Sequence, residues 1–130
     1  MNDKSQNKVV YPKLSYLIVG CLFEVYKLIG GNRREKFYQA ALKEELKSKN
    51  VKFEEQVYVP LKYKGIKIAR DYLDFLIEDR IILELKTESY FRKKHLQQVL
   101  DYLKATNLKL AIIANYTQKG VKFYRVLNIR

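Results

Sequence analysis

From Leu14 onward, apolar side chains recur at three- and four-residue steps through Leu17, Ile18, Cys21, Leu22, Val25, Leu28 and Ile29. That spacing predicts a helix with one buried face. Pro12 precedes it and Gly30-Gly31 ends it. A second helix is predicted from about Arg33 to Lys49, with Phe37, Ala41, Leu42 and Leu46 inward and Asn50 at its end. Strand-like segments follow at Lys52–Tyr63, Ile66–Ile77 and Ile81–Lys86, with Lys64-Gly65 as a tight turn. A third helix is predicted over Phe91–Thr106 with Leu96, Val99, Leu100 and Leu103 as its core stripe, and strands at Leu108–Asn115 and Val121–Leu127 close the chain. The order is ααβββαββ, and helices interleaved with a mixed sheet predict an α/β fold. No linker or internal repeat divides the 130 residues, so they read as a single domain. The polar residues 1–10 are expected to be flexible, with Val9, Val10 and Tyr11 able to pack.

Within this pattern a few charges stand in apolar company. Glu84 lies in a run formed by Ile81, Ile82, Leu83 and Leu85, which reads as a buried strand. An ionised carboxylate there costs several kcal/mol (~3–5) unless a cation or strong hydrogen bond compensates. Side chains alternate along a strand, so Glu84 and Lys86 share a face. The polar break Glu78-Asp79-Arg80 predicts a hairpin that brings Asp74 alongside Glu84. Two acids and an amine on one face suit a divalent metal and a polarised water, the equipment for phosphodiester hydrolysis. Against this stands a plain ion pair, with Lys86 merely the counter-ion of Glu84.

Charge narrows the partner. Lys and Arg number 26 against 14 Asp and Glu, a net +12 that favours a polyanion, most commonly nucleic acid. No stretch reads as a basic amphipathic helix with aromatic anchors, which argues against a membrane surface. Hydrophobic content of 48% and few Gly and Pro exclude a disordered chain. Cys21, the one cysteine, excludes an internal disulfide and a cysteine metal site, and reads as a buried thiol. The N-terminal stretch has no apolar signal core and Tyr16–Phe23 is too short to span a bilayer, so a cytoplasmic location is expected.

Two helices carry polar residues beside their apolar stripes. Glu24 sits three residues after Cys21, with Gly20 one turn earlier; it is either a site carboxylate or a surface flank. His95, Gln98 and Tyr102 follow at i, i+3 and i+7, a polar strip next to the core stripe of the third helix. His95, the only histidine, reads as a surface or phosphate-contacting group rather than a general base. Basic runs at Arg92-Lys93-Lys94, at Lys62, Lys64 and Lys67, and at Lys119, Lys122 and Arg125 form candidate phosphate tracks, with Tyr90 and Phe91 placed to stack on unpaired bases.

The ordered set of Asp74, Glu84-Leu85-Lys86 and Gln98-x-x-x-Tyr102 resembles the PD-(D/E)XK nuclease superfamily, and more narrowly its small GxxExxY proteins. Asn32–Tyr38, NRREKFY, carries the motif's Glu35 and Tyr38, with Asn32 where that family has glycine; Asn tolerates the left-handed backbone better than most residues. The early helix IVGCLFEVYKLIGG places the family's helix glutamate at Glu24. The resemblance spans roughly Leu14 to Asn115. It implies a restriction-endonuclease-like core, a central mixed sheet flanked by helices, and metal-dependent hydrolysis of nucleic acid, DNA ahead of RNA. It further implies Asp74, Glu84 and the Leu85 carbonyl as ligands of Mg²⁺ or Mn²⁺, with Glu24 as an added carboxylate. Lys86 would polarise the water, and Gln98 and Tyr102 would position the phosphate or the lysine. A monomer or homodimer fits this reading. The alternatives are a catalytically inactive nucleic-acid-binding or accessory module, and a domain whose charge serves an acidic protein partner.

Overall fold

The computed structural model describes residues 10–128; apart from Val10, the stretch expected to be flexible lies outside them. The expected order of elements is present. Helix α1 is Pro12–Ile29 and α2 Glu35–Ser48; strands β1, β2 and β3 are Phe53–Tyr63, Ile66–Ile77 and Ile81–Lys86. Helix α3, Lys93–Thr106, leads to β4, Leu110–Thr117, and β5, Gly120–Leu127. One five-stranded sheet runs in the order β1-β2-β3-β4-β5. Only β3 and β4 pair in parallel, with Lys86 opposite Asn115, and α3 connects them.

Each face of the sheet carries its own core. On one, α1 and α2 bring Ile18, Cys21, Leu22, Val25, Tyr38, Leu42 and Leu46 onto Phe75, Ile81, Leu83 and Leu85; Val10 and Tyr11 pack against its margin. On the other, α3 brings Val99, Tyr102 and Leu103 onto Val59, Leu73, Ile82, Ala111 and Ile113. Because β3 alternates, Glu84 shares the α3 side with Ile82, and α1 lies behind the strand.

Two helices are rotated from the expected phase. In α2 the buried residue is Tyr38, whereas Phe37 is 49% exposed. Tyr38 stacks on Tyr116 with ring centroids 4.1 Å apart and donates its hydroxyl to the Gly30 carbonyl at 2.7 Å, which turns its neighbour outward. In α3 the buried residues are His95, Val99, Tyr102 and Leu103; Leu96 is exposed and Leu100 only half-buried. The polar strip, not the Leu96–Leu100 edge, turns inward, where Gln98 meets Lys86 of β3 and His95 lies beside Glu88.

Two of the three hairpin turns use left-handed pairs. Lys64-Gly65 joins β1 to β2 with φ of 52° and 81°, the two positive values a type I′ turn needs. Glu78 and Asp79 do the same between β2 and β3 without a glycine. Glu78 is held there by two contacts with Lys52, its N–H donating to the Lys52 carbonyl and its carboxylate accepting the Lys52 N–H.

Candidate active site

The ladder between β2 and β3 pairs Ile77, Leu76 and Phe75 with Ile81, Ile82 and Leu83. Past that point two carboxylates replace it. The Asp74 N–H donates to Glu84 Oε2 at 2.8 Å, and the Leu85 N–H donates to Asp74 Oδ2 at 2.8 Å. Each acid thus accepts a main-chain bond from the other's strand, and the pair is clamped across the gap. The pleat of β2 also changes phase here. Leu73 packs under α3 while Phe75 packs under the opposite helices, and on the facing strand Gln56 takes a φ of 50°.

Burial sets the chemistry of the pair. Glu84 is 3% exposed. Desolvation and then the charge of Asp74 push its carboxyl up to about 8, against the Asp74 N–H and Lys86. Asp74 is raised by burial too, opposed by the Leu85 N–H and by Lys86. Two acids this close and this dry resist being ionised together unless positive charge joins them. Lys86 supplies one cation from the next position on the same face, and its Nζ donates to Gln98 Oε1 at 3.2 Å. Gln98 therefore orients the amine. Tyr102, one turn further along α3, is buried within reach of the charges of Asp71, Asp74 and Glu84. Burial first and the surrounding carboxylates second hold Tyr102 above the ordinary tyrosine range, so it stays a neutral hydrogen-bonding group.

Glu35, the first residue of α2, lies within electrostatic reach of this pair. Burial and then the charge of Asp74 raise its carboxyl, while Lys86 lowers it. Gln39 Nε2 donates to its Oε2 at 3.2 Å. The α1–α2 turn brings it there. Asn32 adopts the left-handed φ of 64° expected of it, and Gly31 passes so close to the β4–β5 turn that a Cβ would lie 2.6 Å from the Thr117 carbonyl oxygen. The Tyr38 hydroxyl closes the turn from inside. Glu35 and Tyr38 both stand in the motif; the fold sets Glu35 at the start of α2 near the charge of Asp74, and Tyr38 latches the turn.

Among the described residues Glu24 makes no hydrogen bond or ion pair with Asp74, Glu84 or Lys86. It is half-buried on α1, where its charge bears on the Cys21 thiol, itself pushed up to about 11 mainly by burial. Its helix lies across the sheet face opposite Glu84. Three expectations are corrected. His95 is buried rather than phosphate-facing: Nε2 lies 3.8 Å from Glu88 Oε2, the ring meets Phe91 edge-on, and desolvation lowers its titration. Phe91 is packed on Tyr124, 4.1 Å between centroids, leaving Tyr90 as the exposed ring. Arg125 is half-buried and ties β5 to the start of α1, donating to Ser15 Oγ and to the Val10 carbonyl at 3.2 Å.

The remaining basic residues stay at the surface. Arg92, the residue before α3, contacts Glu88 at 3.2 Å and lies over the Tyr90 ring; Lys93 and Lys94 are exposed in the first turn. Lys62, Lys64 and Lys67 are exposed on the β1–β2 hairpin. Asn115, which the sequence reading passed over, is 2% exposed and grips the segment after Lys86. Its Oδ1 accepts the Glu88 N–H at 2.9 Å and its Nδ2 donates to the Glu88 carbonyl at 3.1 Å. The signal was an amide ending an otherwise apolar strand, LAIIANYT. Beside it opens a cleft of about 610 Å³ lined in part by Arg33, Glu88, Tyr90, Lys119 and Lys122.

Among the described residues no three Asp, Glu, His or Cys side chains converge to form a metal shell by themselves. The donors at the centre are two clamped carboxylates and the main chain beside them. That set fits a hard divalent ion such as Mg²⁺, which is held by one or two carboxylates and keeps several waters.

Known proteins resemble this chain in sequence family and in fold. A model of the PD-(D/E)XK nuclease superfamily matches residues 12–126. No curated protein matches the chain. The crystal structure of SSO0001 is similar in fold, with a TM-score of 0.58 and 21% identity over 89% of this chain and 58% of that one. The chain thus spans less than two thirds of that protein's length. The structure of an alkaline exonuclease from Laribacter hongkongensis aligns with a TM-score of 0.47 and 10% identity over 92% of this chain and 71% of that one.

Proposed function

This chain belongs to the PD-(D/E)XK nuclease superfamily, and from that premise we propose that it cleaves phosphodiester bonds of nucleic acid, DNA in preference to RNA, with Mg²⁺ or Mn²⁺. The observation that carries the reading is the cross-clamped pair Asp74–Glu84 with Lys86 on the same face. Asp74, Glu84 and the Leu85 carbonyl would hold the ion, which supplies Lewis-acid polarisation of the phosphate and of a bound water. Within this reading, Lys86, steered by Gln98, offsets negative charge developing at the phosphate and orients the attacking water. Glu35, rather than Glu24 as the resemblance implies, is the further carboxylate that orders water beside the pair. Tyr102 stays protonated, within reach of the charges of Asp71, Asp74 and Glu84. Arg92, Lys93 and Lys94 face the backbone of the substrate. The narrower kinship with GxxExxY proteins is supported by Glu35 and Tyr38 in their motif positions and by the left-handed Asn32. An intracellular site of action and a monomeric or homodimeric state belong to the same reading.

The test is incubation of the purified protein with labelled single- and double-stranded DNA and RNA in Mg²⁺, Mn²⁺ or EDTA. Metal-dependent products are expected, lost in Asp74→Ala and reduced at least ~100-fold in Lys86→Arg, the scale for losing a charge-stabilising group. Salt-sensitive binding without products in either metal would instead make it an inactive nucleic-acid-binding module. Cleavage at the parental rate by Asp74→Ala would remove the carboxylate pair from the chemistry.

A further inference from the structure

The β1–β2 hairpin runs on beyond the carboxylate pair. Strand β3 pairs with β2 only from Phe75 to Ile77, whereas β1 and β2 stay paired out to Tyr63 and Ile66. From Asp74 to Lys67 this is about 23 Å of two-stranded ribbon. One face is committed to the fold, with Val57, Val59, Leu61 and Leu73 packed under α3. The other face is open. Tyr58 and Tyr72 are cross-strand partners on it, 43% and 45% exposed, with centroids 5.8 Å apart. Pro60 and Arg70 form the next pair, and Lys62 opposes Lys67, whose Nζ lies over the Tyr58 ring at 5.8 Å.

The charges on this ribbon have one sign. Residues 57–72 contain Lys62, Lys64, Lys67 and Arg70 against the single acid Asp71, which pairs with Val59 on the α3 face and whose Oδ1 accepts the Tyr72 N–H at 2.9 Å. None of the ion pairs among the described residues involves these four cations. A second copy docked on this face would set like charges against like, although β1 is an edge strand. A duplex would satisfy the cations and leave the tyrosines idle, because its bases are already stacked. Exposed aromatic rings between unpaired cations match an unpaired strand, whose bases stack on rings while its phosphates meet the amines.

We propose that the open face of the ribbon, built from Tyr58, Tyr72, Lys62, Lys67 and Arg70, binds a single-stranded segment of nucleic acid leading to or from the Asp74–Glu84 centre. This rests on the nuclease reading for its role, but not for its test. Binding of labelled oligothymidylate and of a duplex of the same length is measured by fluorescence anisotropy in EDTA, where no cleavage occurs. The double variant Tyr58→Leu/Tyr72→Leu should bind the single strand about tenfold more weakly or worse while duplex affinity holds. Tyr58→Phe/Tyr72→Phe, which keeps both rings, should bind the single strand like the parent. Lys67→Gln/Arg70→Gln should reduce the slope of log affinity against log salt by about 1.4 for the single strand. Unchanged single-strand affinity in the leucine variant, or an equal loss on duplex, overturns the proposal. So does a change of oligomeric state in place of a loss of binding, which would make the face a self-association surface. If the binding changes are as expected but the parent cleaves nothing in Mg²⁺ or Mn²⁺, the nuclease reading fails and the ribbon stands. If the parent cleaves and the leucine variant binds as before, the reverse holds.

Discussion

At the scale of residues, the electrostatics of Glu84 give a measurable signature. Its carboxyl titrates at about 8 in the fold against an ordinary value of 4.5. Below about pH 4.5 it is neutral in both folded and unfolded chains. Between 4.5 and 8 the folded chain holds a proton that the unfolded chain has lost, so stability falls as pH rises through that window. In EDTA the melting temperature should therefore drop from pH 5 to pH 8, and Glu84→Gln should flatten the decline. Asp74 and Glu35, also raised, add to the trend. His95, lowered, works the other way, losing stability as pH falls, and comparison with the Gln variant removes it from the account. Glu35 and Glu24 provide a second contrast. Glu35→Gln should lower the cleavage rate by roughly 10–100-fold, as losing an outer carboxylate does, while Glu24→Gln should cleave at the parental rate. Parallel assays of the two variants decide which acid serves the site.

At the scale of elements, the α1–α2 turn is the device that delivers Glu35. Its fit depends on main chain meeting main chain: a Cβ on Gly31 would contact the Thr117 oxygen at 2.6 Å and the Gln118 Cα at 2.9 Å. Neither atom belongs to a flexible side chain, so the turn or the β4–β5 hairpin must shift. Gly31→Ala should cost roughly 1–3 kcal/mol in denaturant unfolding and lower activity more than that loss of stability explains. An alanine variant with parental stability would show that the turn has room to move. The phase of α2 and α3 is likewise settled by contacts rather than by apolar spacing. Phe37 and Leu96 are as hydrophobic as the residues that displaced them, but Tyr38 has a ring and a carbonyl to meet, and His95 and Tyr102 have carboxylates.

At the scale of the molecule, +12 of net charge surrounds a centre that is locally acidic. The positive field favours a polyanion from a distance, and the acidic pair admits a divalent cation at close range. Ion binding should offset the repulsion between Asp74 and Glu84, so millimolar Mg²⁺ should raise the melting temperature, as any ligand selective for the native state does. The rise should be larger at pH 8 than at pH 6, where a proton competes for Glu84, and absent in Glu84→Gln. A scan without any Mg²⁺-dependent shift in the parent would count against the pair as the ion's seat. No helix among the described residues is long and apolar enough to cross a membrane.

Local rules were enough for much of this. Periodicity located every helix and strand within a few residues, because the apolar spacing of Leu17 to Ile29 or the run Ile81–Leu85, apolar but for Glu84, has few other uses. The same runs exposed Asp74, Glu84 and Lys86 as charges out of place, since a carboxylate in an apolar strand demands a partner wherever the strand lies. The sequence also held Glu35 and Tyr38 in a motif but gave no means to divide their roles. Which acid lies within electrostatic reach of the pair is a tertiary matter. Glu24 and Glu35 look equivalent along the chain, and only the packing of α1 behind the sheet and the start of α2 at the end of β3 separates them. Helix phase, the Asn115 grip on Glu88 and the open face of the ribbon belong to the same class. Each depends on residues far apart in sequence meeting with particular geometry, and no local pattern encodes that meeting.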